Sequence, residues 1–264
     1  YQSPGFILRF PSGPESKLAQ PFRLPQKVFA LHQEHDKWLD ILRVHNIYDI
    51  NRQIESYDIS GFILVEEALH EKKIAEIAAD IVKHEEVKLI LIAGPSSSGK
   101  TTFAKRLSVQ LQASKAKPIV IGMDDYFLNR DRTPRKEDGD FDFESIHSID
   151  LEHLNHQLSQ LLAGEQIELP HYDFTRGIRR PSNNYVKMEK DNVIIMEGIH
   201  GLNDELTASI PQNRKAKIYI SALNQLNIDN HNRIPTTDCR LLRRIIRDHQ
   251  YRGYSAEETL IRWK

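Results

Sequence analysis

The sequence predicts an α/β fold, a mainly parallel sheet flanked by helices, with a helical N-terminal extension. Three observations predict it. Short, nearly continuous apolar runs recur at residues 87–93, 118–121, 192–196 and 216–220, as strands of a parallel sheet covered on both faces do. Between them, residues 100–112 and 151–163 carry apolar positions at helical spacing. The first run also opens through a glycine-rich turn directly into a helix, as strand–turn–helix units of open α/β sheets do.

Each element has its own justification. Residues 1–25 hold Pro4, Pro11, Pro14, Pro21 and Pro25 around Phe6-Ile7-Leu8-Arg9-Phe10, which allows at most a strand and an irregular connector. Residues 26–46 space Val28, Leu31, Trp38, Leu39, Ile41 and Leu42 as a helix does, and residues 65–84 repeat the pattern through Leu69, Ile74, Ala78, Ile81 and Val82. Two helices are therefore expected ahead of the sheet. Asp150 stands where an N-cap is needed for the helix at 151–163, and Gly164 where that helix should stop. The chain starts at Tyr1 and stops within residues 256–264, which read as a helix without a terminator, so a fragment of a longer protein is expected.

Composition narrows the function. Lys+Arg 36 against Asp+Glu 37 gives a net charge of -1, which argues against a general nucleic-acid coat and requires any phosphate site to be local. One cysteine, Cys239, excludes an internal disulfide framework and a four-cysteine metal site and favours a reducing compartment. No apolar run is long enough for a bilayer, so a cytoplasmic protein is expected. The pairs His32/His35 and His153/His156 lack the acidic or cysteine-rich context of zinc sites and read as surface or capping residues.

After the first strand, Gly94-Pro95-Ser96-Ser97-Ser98-Gly99-Lys100-Thr101 fits G-x-x-x-x-G-K-[ST] at every fixed position, with Thr102 following. Glycines let successive N–H groups turn inward, the helix adds its positive end, Lys100 brings a cation to the outer phosphates, and Thr101 offers a hydroxyl to Mg²⁺. A P-loop NTPase fold binding ATP with Mg²⁺ is the expectation. GTPase base-reading and transporter signatures are missing from the sequence, which leaves a small-substrate kinase or an ATP-dependent switch.

The second strand ends in Gly122-Met123-Asp124-Asp125-Tyr126-Phe127, delivering carboxylates to the edge where α/β sheets bind ligands. An aspartate there suits a general base for a hydroxyl acceptor. Glu197, at the end of the third strand, suits Mg²⁺ or its water. Leu169-Pro170-His171-Tyr172-Asp173-Phe174 with Arg176, Arg179 and Arg180 reads as a substrate loop or an ordinary surface hairpin, and Phe141-Asp142-Phe143-Glu144 shares the ambiguity. Arg240, Arg243, Arg244 and Arg247 fall within one arc of a helix, opposite Leu241, Leu242, Ile245 and Ile246. That stripe is either a solvated face or a lid over transferring phosphate, with the leucines and isoleucines turned to the core.

Together these motifs, in this order over residues 85–264, resemble the phosphoribulokinase/uridine kinase family. Glu67-Ala68-Leu69-His70-Glu71-Lys72-Lys73 and Asn232-Arg233-Ile234-Pro235-Thr236-Thr237-Asp238 resemble, more closely, bacterial nucleoside kinases that follow a threonyl-tRNA synthetase-like region. The resemblance implies residues 1–64 as the tail of that region plus a helical connector, and 65–264 as a C-terminally incomplete kinase domain. It implies ATP-dependent phosphorylation of the 5′-hydroxyl of uridine or cytidine. In that reading Asp124 is the base, and Lys100, Arg243 and Arg247 stabilise the transferring group. Glu144, Tyr172 and Arg243 contact the acceptor, Phe143, Phe174 and Ile199 wall it, and Thr101 and Glu197 serve Mg²⁺. Two positions depart from the uridine kinase pattern: Gly177 stands where a base-contacting histidine is usual, and Glu144 where aspartate is. A kinase for another small hydroxyl acceptor, or an ATP-dependent RNA-binding or regulatory protein, are the alternatives. A pyrimidine nucleoside is the expected partner, nucleic acid and membrane are not, and a homo-oligomer is compatible with the sequence.

Overall fold

The computed structural model describes residues 26–56, 59–221 and 226–263. The chain forms two compact units, Tyr1–His45 and Asn46–Lys264. In the first, α1 spans Gln26–Leu42 and carries His32 and His35. The strand expected at residues 6–10 lies outside the described residues.

The second unit opens with α2 (Ile47–Glu55), which the apolar spacing does not reveal. Its start is local chemistry: the Asn46 side chain accepts the Asp49 N–H at 3.2 Å while the Asp49 carboxylate accepts the Asn46 N–H at 3.3 Å, a reciprocal cap. Then follow α3 (Ile59–Lys83), unbroken and beginning ahead of residue 65, β1 (Leu89–Ala93), α4 (Lys100–Ala113), β2 (Lys117–Gly122) and α5 (Leu151–Leu162). The remainder is β3 (Gln166–Asp173), β4 (Ile178–Lys187), β5 (Asn192–Gly198), β6 (Lys215–Tyr219), α6 (Thr236–Arg252) and α7 (Ala256–Ile261). As expected, the Asp150 side chain caps α5 through the His153 N–H at 3.1 Å, and Gly164, at φ +79, ends it.

The main sheet is parallel with order β2-β5-β1-β6, and β3 and β4 form a separate antiparallel hairpin. Alternation along the central strands feeds two cores. Ile90, Ile92, Val193 and Ile195 pack with Ile74 and Ala78 of α3 and Phe103, Leu107 and Leu111 of α4. Leu89, Leu91, Ile194 and Met196 point the other way, onto Leu154, Leu158 and Leu161 of α5 and the β3 hairpin. Each such side chain, fully buried, contributes about 1.5–3 kcal/mol. β2 lies at the sheet edge, where Pro118 needs no ladder partner on its open side and Val120 remains exposed.

Two expectations change. The helix expected to run out of the chain ends at Ile261, with the Arg262 N–H returning to Glu258 O at 3.3 Å. On α6, Leu242 and Ile246 do not face a core; they are 63% and 56% exposed. Leu241 and Ile245 are half-buried, and so are Arg240, Arg244 and Arg247, because their guanidiniums find a carboxylate and a loop carbonyl to satisfy them, whereas Arg243 is exposed. Among the described residues no helix is long and apolar enough to cross a membrane, and no cluster of three or more His, Cys, Asp or Glu could hold a metal ion.

Candidate active site

The parallel register sets the site. Ala93 of β1 pairs with Gly198 of β5, and Gly122 of β2 with Glu197, so the carboxyl ends of three strands finish level. The turn after β1 closes tightly: a Cβ on Gly94 would stand 2.8 Å from both Ile220 O and Ser98 Oγ, and Gly99 adopts φ +98, a conformation suited to glycine. Ser98 N–H donates to Pro95 O at 3.2 Å, and the hydroxyls of Ser97 and Ser98 are buried without a partner among the described residues. Lys100 begins α4 and donates from Nζ to Pro95 O at 3.1 Å. Burial pushes its ammonium pKa down, the carboxylates of Glu197 and Asp124 pull it up, and Arg247 and Arg240 press it down again; the net direction is down.

Asp124 sits in a short turn, Met123–Tyr126, between two buried anchors. The Tyr126 hydroxyl donates to Gln157 Oε1 at 2.7 Å, and burial pushes that phenol well above its ordinary pKa. Asp124 is thereby presented to solvent on a fixed turn. Across from it, Thr101 Oγ1 donates to Glu197 Oε1 at 2.7 Å, uniting the two residues expected to serve Mg²⁺.

The α6 helix completes the site. Arg240 Nε donates to Ser96 O at 3.1 Å, and Arg243 and Arg247 line the same cavity as Lys100, Thr101, Thr102, Asp124, Glu197 and Ile199. That cavity has a volume of about 360 Å³. Ser96, Ser97 and Gly99 contribute to its wall, whereas Gly94, Pro95 and Ser98 shape the turn behind it. Phe143, Glu144, Tyr172 and Phe174 do not line this cavity. Phe143, Tyr172 and Phe174 instead gather edge-on around Phe127, at ring separations of 5.5, 5.6 and 6.2 Å. Glu144 is exposed, its N–H donating to Asp142 Oδ1 at 3.2 Å.

Three residues have supporting roles that the sequence reading did not assign. Asp248 is buried and accepts Arg247 Nε and Nη2 on Oδ1 at 3.0 and 2.7 Å, and Arg244 Nε on Oδ2 at 3.4 Å. Trp263 lies 5.1 and 5.5 Å from the guanidinium carbons of Arg240 and Arg244, within cation–π range. Asp125 ties the hairpin to the strand end, its Oδ1 accepting the Tyr172 N–H at 3.1 Å with His171 Nδ1 also at 3.1 Å. An acid one residue after Arg247 and four after Arg244 is the signal that could have exposed Asp248; Asp125 already stood among the carboxylates read at the strand end, and nothing local marks Trp263.

The unpartnered serine hydroxyls, the turn closed around Gly94 and the inward ammonium of Lys100 fit a triphosphate, and the Thr101 hydroxyl beside the Glu197 carboxylate fits Mg²⁺, which takes few protein ligands. The model of the phosphoribulokinase/uridine kinase family matches residues 89–264. The chain belongs to the phosphoribulokinase/uridine kinase family. It is 31% identical over 176 residues to a uridine kinase of Ureaplasma parvum, covering 67% of this chain and 76% of that one. To a uridine kinase of Lactobacillus helveticus it is 30% identical over 178 residues, covering 67% and 75%. A crystal structure from Silicibacter sp. TM1040, assigned as a fructose transport system kinase, aligns with TM-score 0.51 at 19% identity over 72% of this chain and 87% of that one, a likeness of fold. As a member of this family the chain is a phosphotransferase acting on a hydroxyl group.

Proposed function

We propose that this kinase transfers the γ-phosphoryl group of ATP to the 5′-hydroxyl of a pyrimidine nucleoside, uridine or cytidine, giving the monophosphate and ADP. The observation that carries this is the meeting of Lys100, Asp124, Arg243 and Arg247 with the Thr101–Glu197 pair around one cavity at the carboxyl edge of the sheet. Similarity to uridine kinases supports the choice of acceptor. Asp124 takes the hydroxyl proton as the acceptor oxygen bonds to phosphorus and the bond to the departing ADP oxygen breaks. Lys100, Arg243 and Arg247, which line the cavity, offset the charge carried by the transferring oxygens. Bound Mg²⁺ supplies further charge neutralisation at the outer phosphates, with Thr101 and Glu197 the residues that would hold it or its waters.

The aromatic group of Phe143, Tyr172 and Phe174, fastened to the strand end through Asp125, supports a flat acceptor beside Asp124. Glu144 and Ile199 are assigned to the acceptor as well, and Ile199 already reaches the cavity wall. The single cysteine supports a cytoplasmic setting. The test is ADP release by the purified chain against a panel of uridine, cytidine, pantothenate and a pentose phosphate. Turnover with the two nucleosides is expected; a silent uridine lane beside an active one for another acceptor would overturn the choice of nucleoside.

A further inference from the structure

We propose that Asp125 is a positioning residue for the transfer step, holding the β3–β4 hairpin where the acceptor hydroxyl is aimed at Asp124; this rests on the reading of Asp124 as the base. The two aspartates are neighbours in the chain but stand differently. Asp124 is exposed, whereas Asp125 is half-buried and folds its carboxylate back over its own strand end. A Cβ on Gly122 would lie 3.2 Å from Asp125 Oδ2, so the glycine leaves the carboxylate room to take this position. Oδ1 reaches the hairpin, 3.1 Å from the Tyr172 backbone nitrogen and 3.1 Å from His171 Nδ1. An ionised carboxylate only accepts, so the Tyr172 N–H and His171 Nδ1 are both donors to it.

The turn that carries both aspartates is fixed from beneath. A Cβ on Gly198 would lie 2.5 Å from Met123 Sδ, so Gly198 is what lets Met123 seat against β5, and Gln157 holds the Tyr126 hydroxyl. The hairpin needs its own fastening, because a two-stranded ribbon alone is marginally stable. Its ladder also shifts register between Leu169 and Pro170, where proline brings no N–H. Ahead of that shift Gln157 Nε2 donates to Glu168 O at 2.9 Å, and at the turn Arg130 N–H donates to Gly177 O at 2.8 Å. Between these two points Asp125 takes the backbone of Tyr172 itself, on the edge of β3 turned away from its partner Arg179 in β4. One carboxylate therefore links the residue next to Asp124 with the strand whose rings are assigned to the acceptor. Those rings hold one another without it: Tyr172 and Phe174 stand 5.6 and 6.2 Å from Phe127 and 5.0 Å from each other. Loss of the link leaves the acceptor walls assembled but no longer set in register with Asp124.

The experiment compares wild type, Asp125→Ala and Asp125→Asn in steady-state kinetics with ATP and uridine, with ATP affinity by calorimetry and a thermal melt for each. Misplacing the acceptor by a fraction of its bond-forming distance should lower kcat in Asp125→Ala by about 10- to 100-fold. The KM for uridine and the affinity for ATP should stay within roughly threefold, since the walls and the phosphate turn are untouched. Asparagine keeps an oxygen that accepts the Tyr172 N–H, so Asp125→Asn should restore kcat to within roughly threefold of wild type. A folded Asp125→Ala with wild-type kcat, even one that melts earlier, would overturn the proposal, and so would a loss expressed mainly in the uridine KM. Asparagine as damaging as alanine would overturn it in favour of the Asp125 charge acting in the reaction itself. Were Asp125→Ala unfolded, the asparagine variant still decides, because a large fall in its kcat contradicts a role carried by the accepting oxygen. Asp124→Asn in the same assay keeps the two readings apart: wild-type turnover there would overturn the base assignment and this proposal with it, whereas a failure confined to the Asp125 variants overturns the proposal alone.

Discussion

Asp248→Asn isolates the charge that gathers the arginine stripe. The Asp248 side chain is 3% exposed, with Arg247 bound to one oxygen through two N–H groups at 3.0 and 2.7 Å and Arg244 to the other at 3.4 Å. Asparagine preserves the shape but removes the charge, and sets an NH₂ group against one of two guanidiniums that can only donate. Hydrogen bonds to charged partners contribute about 1.5–3 kcal/mol each. The 3.4 Å bond is weak, and Arg244 and Arg247, 19% and 31% exposed, recover part of their solvation. The expected loss is about 2–3 kcal/mol. With a urea slope of about 2–3 kcal/mol/M, the unfolding midpoint falls by roughly 1 M. Because Arg247 lines the cavity, kcat should fall as well, by about tenfold. In a cycle with Arg247→Met the two substitutions should fall short of additivity by about 1 kcal/mol. A midpoint within roughly 0.2 M of wild type and strictly additive losses would refute the reasoning.

Two further outcomes follow from the geometry. Gly94→Ala places a methyl 2.8 Å from Ile220 O, so the turn must shift; a loss of about 1–3 kcal/mol in urea unfolding is expected, with weakened ATP binding by calorimetry, and unchanged affinity would contradict the closed turn. Burial tends to raise the Asp150 carboxyl pKa, but the His153 N–H and Arg179 outweigh it, so the folded-state value lies below the ordinary 3.8. Its stabilisation is therefore present above the unfolded value and lost as pH falls through the folded one. Asn also caps helices well, so Asp150→Asn should cost about 1 kcal/mol at pH ~7 through the lost Arg179 pair, and that gap should close below pH ~4; a gap constant from pH ~7 to ~3 would contradict it.

The central strands were legible because burial on both faces leaves runs such as Leu89-Ile90-Leu91-Ile92 that few other structures tolerate. The phosphate turn was legible because each glycine answers a steric demand within eight residues. The α2 helix was not: its start rests on the Asn46–Asp49 exchange and its place on the bond from the Ile47 N–H to Asn227 O, a partner distant in sequence. On α6 the pattern of charge was read correctly as one face, yet its direction was not. An apolar stripe normally marks the buried side, and here Asp248, Ser96 O and Trp263 draw Arg240, Arg244 and Arg247 to the same half-burial as Leu241 and Ile245 while Leu242 and Ile246 stay exposed. The antiparallel hairpin β3–β4 stayed ambiguous because its polar face and paired arginines leave only a weak alternation. Its fastening through Asp125 and Arg130 joins residues more than forty positions apart, which no local spacing encodes.

The most direct measurement is the turnover of Asp124→Asn with ATP and uridine, made alongside its ATP affinity by calorimetry. Removing a general base while keeping the side-chain volume should lower kcat by about 10²–10⁴-fold. ATP affinity should hold within roughly threefold, since the phosphate turn, Lys100 and the arginines are untouched. A variant that phosphorylates uridine at the wild-type rate would contradict the assignment of Asp124 as the base on which the account rests.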